Sequence, residues 1–232
     1  MNRVLATVLH NEPLFNVIQE HFDRISYLYD NVIIEVTEKT DKRILNWFDL
    51  HYPNIYYVNG GPLGQVRRRI LSKALDLGAD IVHFVDIDRL LFWQMNYPGE
   101  LTQTVCTLDP NVFTVFGRTQ SAMDSHPTLQ WLTEQACNYL FAECFGQQID
   151  ILAASRGIPK EIGLKILEQS KEDNPAACDA EWCFIADVIK EVRVNGLGYE
   201  SNLLGIEKCF SNEVKTRIDN LNHLSNYLNG LL

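Results

Sequence analysis

Apolar and polar positions follow two rhythms along the first half of the chain. Val4–Leu9 is a short apolar run, the pattern of a strand buried on both faces. From Pro13 onward, Leu14, Val17, Ile18, Phe22 and Ile25 recur at helical spacing. Val32–Val36 is rich in β-branched residues. Thr40 and Asp41 then cap a helix continued by Ile44, Leu45 and Phe48, and Ile55–Val58 predicts a third strand. A tight loop, Gly60 to Gly64, leads into a helix with Val66, Ile70, Ala74 and Leu77 on one face, and Gly78 ends it. Ile81–Val85 predicts a fourth strand, apolar apart from His83, and Val112–Phe116 a fifth.

Strand and helix alternating at this rhythm predict βαβ units, hence a mainly parallel sheet flanked by helices. The second half is less regular. Its spacing predicts helices at Thr128–Cys144, Lys160–Ser170, Glu181–Ile189 and Asn212–Asn229, with short strands at Ile149–Ala153 and Val192–Leu197. No repeat, low-complexity tract or linker divides the chain. The expectation is one α/β domain over residues 1–232, with an elaborated C-terminal half.

Composition narrows this picture little. The 232 residues are 46% hydrophobic and 22% charged, a globular balance. The net charge of −10 argues against a nucleic-acid partner, because phosphate neutralisation needs a basic surface. None of the six cysteines forms C-x-x-C, so buried free thiols and a cytoplasmic setting are expected. No stretch approaches the ~18 apolar residues of a membrane span, which restricts membrane contact to peripheral patches.

The sharpest chemical feature is Phe84-Val85-Asp86-Ile87-Asp88-Arg89, two carboxylates leaving the carboxyl end of an apolar strand. Ligands bind at that edge of an open α/β sheet. A pair of hard anionic oxygens suits Mg²⁺ or Mn²⁺, which in turn bridges a diphosphate.

Around this pair the sequence resembles the core of GT-A fold glycosyltransferases, most closely the family 2 group. Gly64-Gln65-Val66-Arg67-Arg68-Arg69-Ile70-Leu71-Ser72-Lys73-Ala74 matches the helix that there reads G-x-x-x-A-R-N-x-G and runs into a strand ending D-x-D. Val8-Leu9-His10-Asn11-Glu12 resembles the Y-N-E loop after the first strand. Asp179-Ala180-Glu181-Trp182 resembles the acidic E-D-x-E helix start. The resemblance divides the domain into a nucleotide-sugar-binding half, 1–118, and an acceptor-side half, 119–232.

The resemblance implies a single-domain, Rossmann-like GT-A fold and a metal-dependent, inverting transfer of sugar from a nucleoside-diphosphate sugar to an acceptor hydroxyl. By position, Asp86 and Asp88 would hold Mn²⁺ or Mg²⁺ on the donor diphosphate. Arg67 would face the phosphates, and His10, Asn11 and Glu12 would border the nucleoside. Asp179 would be the general base, with Glu181 as its competitor. The chain departs from the family where D-D-G-S is replaced by Val36-Thr37-Glu38-Lys39. Glu35 and Glu38 are the acids left to contact the base. Arg68 takes the asparagine slot, and the Q-x-x-R-W motif of polymer-forming members is absent.

Arg118, after the fifth strand, lies at the same sheet edge and is a candidate donor or acceptor contact. His126 is a candidate third metal ligand. Trp93, Trp131 and Trp182 could stack on a sugar ring, Trp182 best placed among them, with core packing the default for each. Residues 153–159 read as a loop before a helix, and Arg217 as a solvated charge. The first competing function is a haloacid-dehalogenase-type phosphatase, whose D-x-D also ends an apolar strand, but with Thr or Val where Leu90 stands. A nucleotidyltransferase would need its glycine-rich loop after the first strand. A non-catalytic sugar-nucleotide-binding homologue would keep the fold and the pocket without turnover.

Overall fold

The computed structural model of the chain describes residues 1–9, 14–37, 40–52, 54–58, 60–200 and 210–232. The regular half folds as β1 (Arg3–Leu9), α1 (Phe15–Ser26), β2 (Asn31–Thr37), α2 (Lys42–His51), β3 (Ile55–Val58), α3 (Leu63–Asp76) and β4 (Ile81–Val85). It continues with α4 (Ile87–Asn96), α5 (Pro98–Cys106), β5 (Phe113–Arg118), α6 (Gln120–Asp124) and α7 (Thr128–Phe145). The last elements are β6 (Ser155–Pro159), α8 (Lys160–Gln169), α9 (Pro175–Ala186), β7 (Ile189–Val194) and α10 (Phe210–Asn229).

The strands form one sheet in the order β3-β2-β1-β4-β6-β5-β7, parallel throughout except for β6. Both faces are covered, so side chains alternate between two apolar layers. Val4, Ala6, Val82 and Phe84 pack with Ile70, Leu71, Phe141 and Trp182 on one face. Leu5, Leu9, Ile81 and Val85 pack with Phe22, Phe48, Leu90 and Trp93 on the other. This two-sided burial is why β1 and β4 read as nearly unbroken apolar runs. The N-terminal elements fall where the periodicity predicts them. Asp41 caps α2 by accepting from the Arg43 N–H, and Gly78 stops α3 with φ +75°.

Three expectations for the second half are corrected. Ile149–Ala153 is not a strand; Ile149 and Ile151 are buried in the core without strand pairing. The strand is instead Ser155–Pro159, which reads as a loop because Ser, Arg, Gly and Pro have low strand propensity. Its central position overrides that propensity: β6 runs antiparallel between β4 and β5, and all five of its residues are buried. The helix expected at Glu181–Ile189 is α9, Pro175–Ala186. It starts at Asn174, whose side chain accepts from the N–H groups of Ala176 and Ala177, with Pro175 at the first helical position. The expected strand Val192–Leu197 begins earlier, at Ile189, and ends at Val194. Helices α4 and α5 lie in a stretch where the sequence predicted no element.

His83, in the middle of β4, is fully buried. Its Nδ1 lies 2.6 Å from Tyr29 Oη and its Nε2 3.0 Å from Ser155 Oγ, so a neutral ring satisfies both partners by donating at one nitrogen and accepting at the other. Trp93 and Phe116 meet it edge-on. Burial pushes its pKa down to about 3. The unfolded chain therefore takes up a proton below about pH 6.5 that the folded chain refuses, and stability falls as pH drops from there toward 3. His83→Gln removes this titration. Denaturant unfolding at pH 7, 6 and 5 should show the wild type losing up to roughly 1.4 kcal/mol per pH unit more than the variant. Equal slopes would mean that His83 is protonated in the folded protein.

Candidate active site

The D-x-D pair straddles the end of β4. Asp86 is the N-cap residue of α4, yet its carboxylate makes no capping hydrogen bond, and Asp88 lies in the first helical turn. Asp88 is thus on a helix, not on the strand end, where the positive pole favours its charge. Both carboxylates line a cleft of about 280 Å³, bounded by α3, α4, the residues before β6, α7, α9 and α10.

Arginines and carboxylates alternate around this cleft. Arg67, on α3, is buried and donates from Nη1 to Asp179 Oδ1 at 2.6 Å. Arg156, on β6, approaches the same oxygen at 3.1 Å, and its Nη2 also donates to the Ile151 carbonyl. Close packing brings these elements together. A Cβ at Gly64 would sit 2.2 Å from the Glu172 carbonyl, so only glycine lets the start of α3 press against the segment before α9. Arg68 fastens that segment through Asp173 at 2.5 Å and the Glu172 carbonyl at 2.7 Å. Burial opposes the charge on Arg67, but the carboxylates of Asp179 and Asp86 outweigh it and raise its pKa.

The opposite wall is built likewise. Arg118, at the end of β5, holds Asp150 through two side-chain hydrogen bonds of 2.8 and 2.7 Å and pairs with Glu134 at 2.6 Å. Burial would raise the Asp150 pKa; Arg118 reverses that and holds it down to about 2. Arg217, from α10, bridges Glu134 at 2.9 Å and Glu213 at 2.7 Å. Arg89 reaches the Gly198 carbonyl at 2.9 Å and lies over the Tyr199 ring, 3.9 Å from Asp88.

When these pairs are set aside, Asp86 is left with no ion pair among the described residues, and Asp88 with only a long one, to Arg89 at 3.9 Å. Burial, and then the like charges of Asp88 and Asp179, push Asp86 up to about 6, with Arg67 and Arg89 opposing. A divalent cation would relieve that repulsion. Among the described residues no group of three histidine, cysteine or acidic side chains completes a metal cage. Two carboxylates with open positions are nevertheless the donor set that Mg²⁺ uses when substrate phosphates and water supply the rest. The residues present fit such an ion.

The other expected residues divide. Asp179 faces the cleft but sits inside α9, held by two guanidiniums, so it neither starts nor caps a helix. Glu181 does not line the cleft; it accepts from Ser170 Oγ at 2.5 Å and from the N–H groups of Lys171 and Glu172. Glu35, on β2, is buried against Arg69 at 2.8 Å. His10, Asn11, Glu12 and Glu38 lie outside the described residues. His126 is buried with Nε2 3.1 Å from the Leu197 carbonyl and does not join the aspartates. Trp182 is core, its indole N–H donating to Ser170 Oγ, and Trp93 is core as well.

Arg217 is a wall of the cleft, not a solvated charge, and its i,i+4 spacing from Glu213 was the available signal. Arg89 was signalled only by its place beside the aspartates. Glu134 was legible as a charge inside an apolar helix, which demands a partner.

No family model matches the chain, and no curated protein matches it in sequence. Solved structures do. One of glucosyl-3-phosphoglycerate synthase from Mycobacterium tuberculosis with uridine diphosphate aligns at TM-score 0.62 and 14% identity over 98% of this chain and 80% of that one. The same enzyme with phosphoglyceric acid aligns at TM-score 0.63 and 13% identity, with the same coverage of both chains. Its complex with Mn²⁺, uridine-diphosphate-glucose and phosphoglyceric acid aligns at 0.57 and 15% identity over 95% of this chain and 80% of that one. The likeness is one of fold, and the fold is the GT-A glycosyltransferase fold.

The doubly paired Asp179 carries a consequence for stability. Asp179→Asn leaves two buried guanidiniums facing a neutral amide, a loss of about 3–5 kcal/mol. Thermal unfolding should show the midpoint lowered by roughly 10 °C. An unchanged midpoint would show that the arginines do not depend on this carboxylate.

Proposed function

We propose that the chain transfers a glycosyl group from a nucleoside-diphosphate sugar to an acceptor hydroxyl. The observation that carries this reading is the pairing pattern of the cleft: just past β4, Asp86 makes no ion pair among the described residues and Asp88 only a long one to Arg89, with Arg67 beside them. The fold shared with an enzyme solved with Mn²⁺ and uridine-diphosphate-glucose supports it.

In this reading the diphosphate lies against α4 and the start of α3. Asp86 and Asp88 would hold a divalent cation, which when bound would supply positive charge against the departing diphosphate. Arg89 and Arg67 face the same oxygens and are preorganised by their fixed partners, so little rearrangement opposes charge separation. The nucleoside is assigned to His10, Asn11, Glu12, Glu35 and Glu38, as the sequence resemblance implies. The acceptor is assigned to the α7 and α10 walls, where Gln130, Thr216 and Asn220 face the cleft. Arg118 fixes the floor between the two ends. A small phosphorylated acceptor, such as the phosphoglyceric acid bound by the Mycobacterium tuberculosis enzyme, is the first to try.

The inverting course expected from the sequence rests on Asp179 as a free base. Two guanidiniums on that carboxylate remove the ground for it, and we assign Asp179 the positioning of Arg67 and Arg156. The haloacid-dehalogenase alternative also loses support: its paired aspartates belong to a first strand, whereas here they follow β4 and the second lies in a helix.

Uridine diphosphate and uridine-diphosphate-glucose should raise the melting midpoint, and Mn²⁺ should enlarge the shift. Asp88→Asn should weaken the metal-dependent part by roughly tenfold or more while leaving the unliganded midpoint within a few degrees. Release of uridine diphosphate from uridine-diphosphate-glucose, with 3-phosphoglycerate as acceptor, tests turnover. Binding without release for any acceptor tried would favour the non-catalytic homologue. No stabilisation by any nucleoside diphosphate, with or without Mn²⁺, would overturn the reading.

A further inference from the structure

We infer that a second hollow, which shares Arg118 but no other lining residue with the aspartate cleft, is a binding subsite for a neutral polyhydroxylated ligand, a sugar or polyol. It has a volume of about 210 Å³ and opens where the ends of β5 and α6 meet α7 and the residues after it. Of its lining only Arg118 enters the glycosyl-transfer reading, and the inference stands on the hollow's other groups.

Its floor is rigid and charge-balanced. Asp150 accepts from the backbone N–H and two side-chain nitrogens of Arg118. Asn138 donates to Asp150 at 2.9 Å and accepts from the Ile151 N–H at 3.1 Å, so both ends of its amide are occupied. At the edge, Arg193 is paired with Glu191 at 3.1 Å. Each cation of the hollow already has its carboxylate. A phosphate or carboxylate ligand would find no uncompensated positive charge, which argues against an anion site.

The rim is different. The amides of Gln135 and Gln148 and the hydroxyl of Tyr139 line the hollow with no hydrogen-bond partner among the described residues. An amide presents a donor and an acceptor side by side, and a pair of adjacent hydroxyl groups offers the matching acceptor and donor. The Tyr139 ring is 63% exposed and gives an apolar face against which the C–H face of a sugar ring can lie. Neutral, two-way hydrogen-bonding groups beside an exposed aromatic ring, over a fixed polar floor, select a polyhydroxylated ligand over an ion or a purely apolar one.

Saturation-transfer NMR with glucose, mannose and glycerol at millimolar concentration tests this on the full chain. Saturation should pass to at least one of the three. The double variant Gln135→Ala/Gln148→Ala and the single variant Tyr139→Ala should each weaken that binding by roughly tenfold, with the melting midpoint unchanged because all three side chains are on the surface. The signal should persist under saturating uridine diphosphate with Mn²⁺. The inference is overturned by no transfer to any of the three, or by transfer that both variants retain. Loss of the signal on adding uridine diphosphate would overturn it too, by placing the sugar in the aspartate cleft. Displacement by inorganic phosphate would make the hollow an anion site and overturn it likewise.

Discussion

The cleft depends on one buried contact, the Asp179 carboxylate between the guanidiniums of Arg67 and Arg156. Three elements distant in sequence, α3, β6 and α9, meet at that oxygen. A buried ion pair of this kind adds little net stability over an apolar core, because desolvation offsets the attraction. Its effect is on geometry: once the three groups are buried together, none can leave alone. Arg67 is thereby fixed beside Asp86, and β6 can lie in the centre of a sheet despite carrying an arginine. Arg118, with Asp150 and Glu134, repeats the device on the opposite wall, and Arg217 extends it to the C-terminal helix.

This lattice explains why the two aspartates after β4 stand out. Most charges around the cleft are consumed in holding it together. Asp86, half-buried and unpaired among the described residues, and Asp88, only loosely paired with Arg89, line the cleft close enough to repel each other and near enough to Arg89 and Arg67 to share a polyanionic ligand. A site built from firmly paired arginines and loosely paired aspartates suits a cation and a diphosphate arriving together.

Much of this was legible in the sequence, for physical reasons that also mark where legibility ended. Strands β1 and β4 are buried on both faces, so local composition alone identifies them, and the Asp86–Asp88 pair could be placed at a sheet edge. The second half is held by contacts between residues far apart in sequence. Arg156 and Ser155 read as loop residues because what makes them strand residues is Asp179 and His83, which no local window contains. Asn174-Pro175 was a readable helix start, but the acidic residues further on drew the boundary to Glu181. That error made Asp179 look like a free carboxylate at a helix end, when it is a buried counter-ion in mid-helix.

In the proposed reading, Asp86 and Asp88 form half of a cation site that a nucleoside diphosphate completes. Isothermal titration of Mn²⁺ into the protein, with and without uridine diphosphate, tests this directly. Two carboxylates alone should hold Mn²⁺ weakly. Uridine diphosphate should tighten it by roughly tenfold or more, and Mn²⁺ should tighten uridine diphosphate by the same factor, as linkage requires. Affinities that are indifferent to each other would contradict the account.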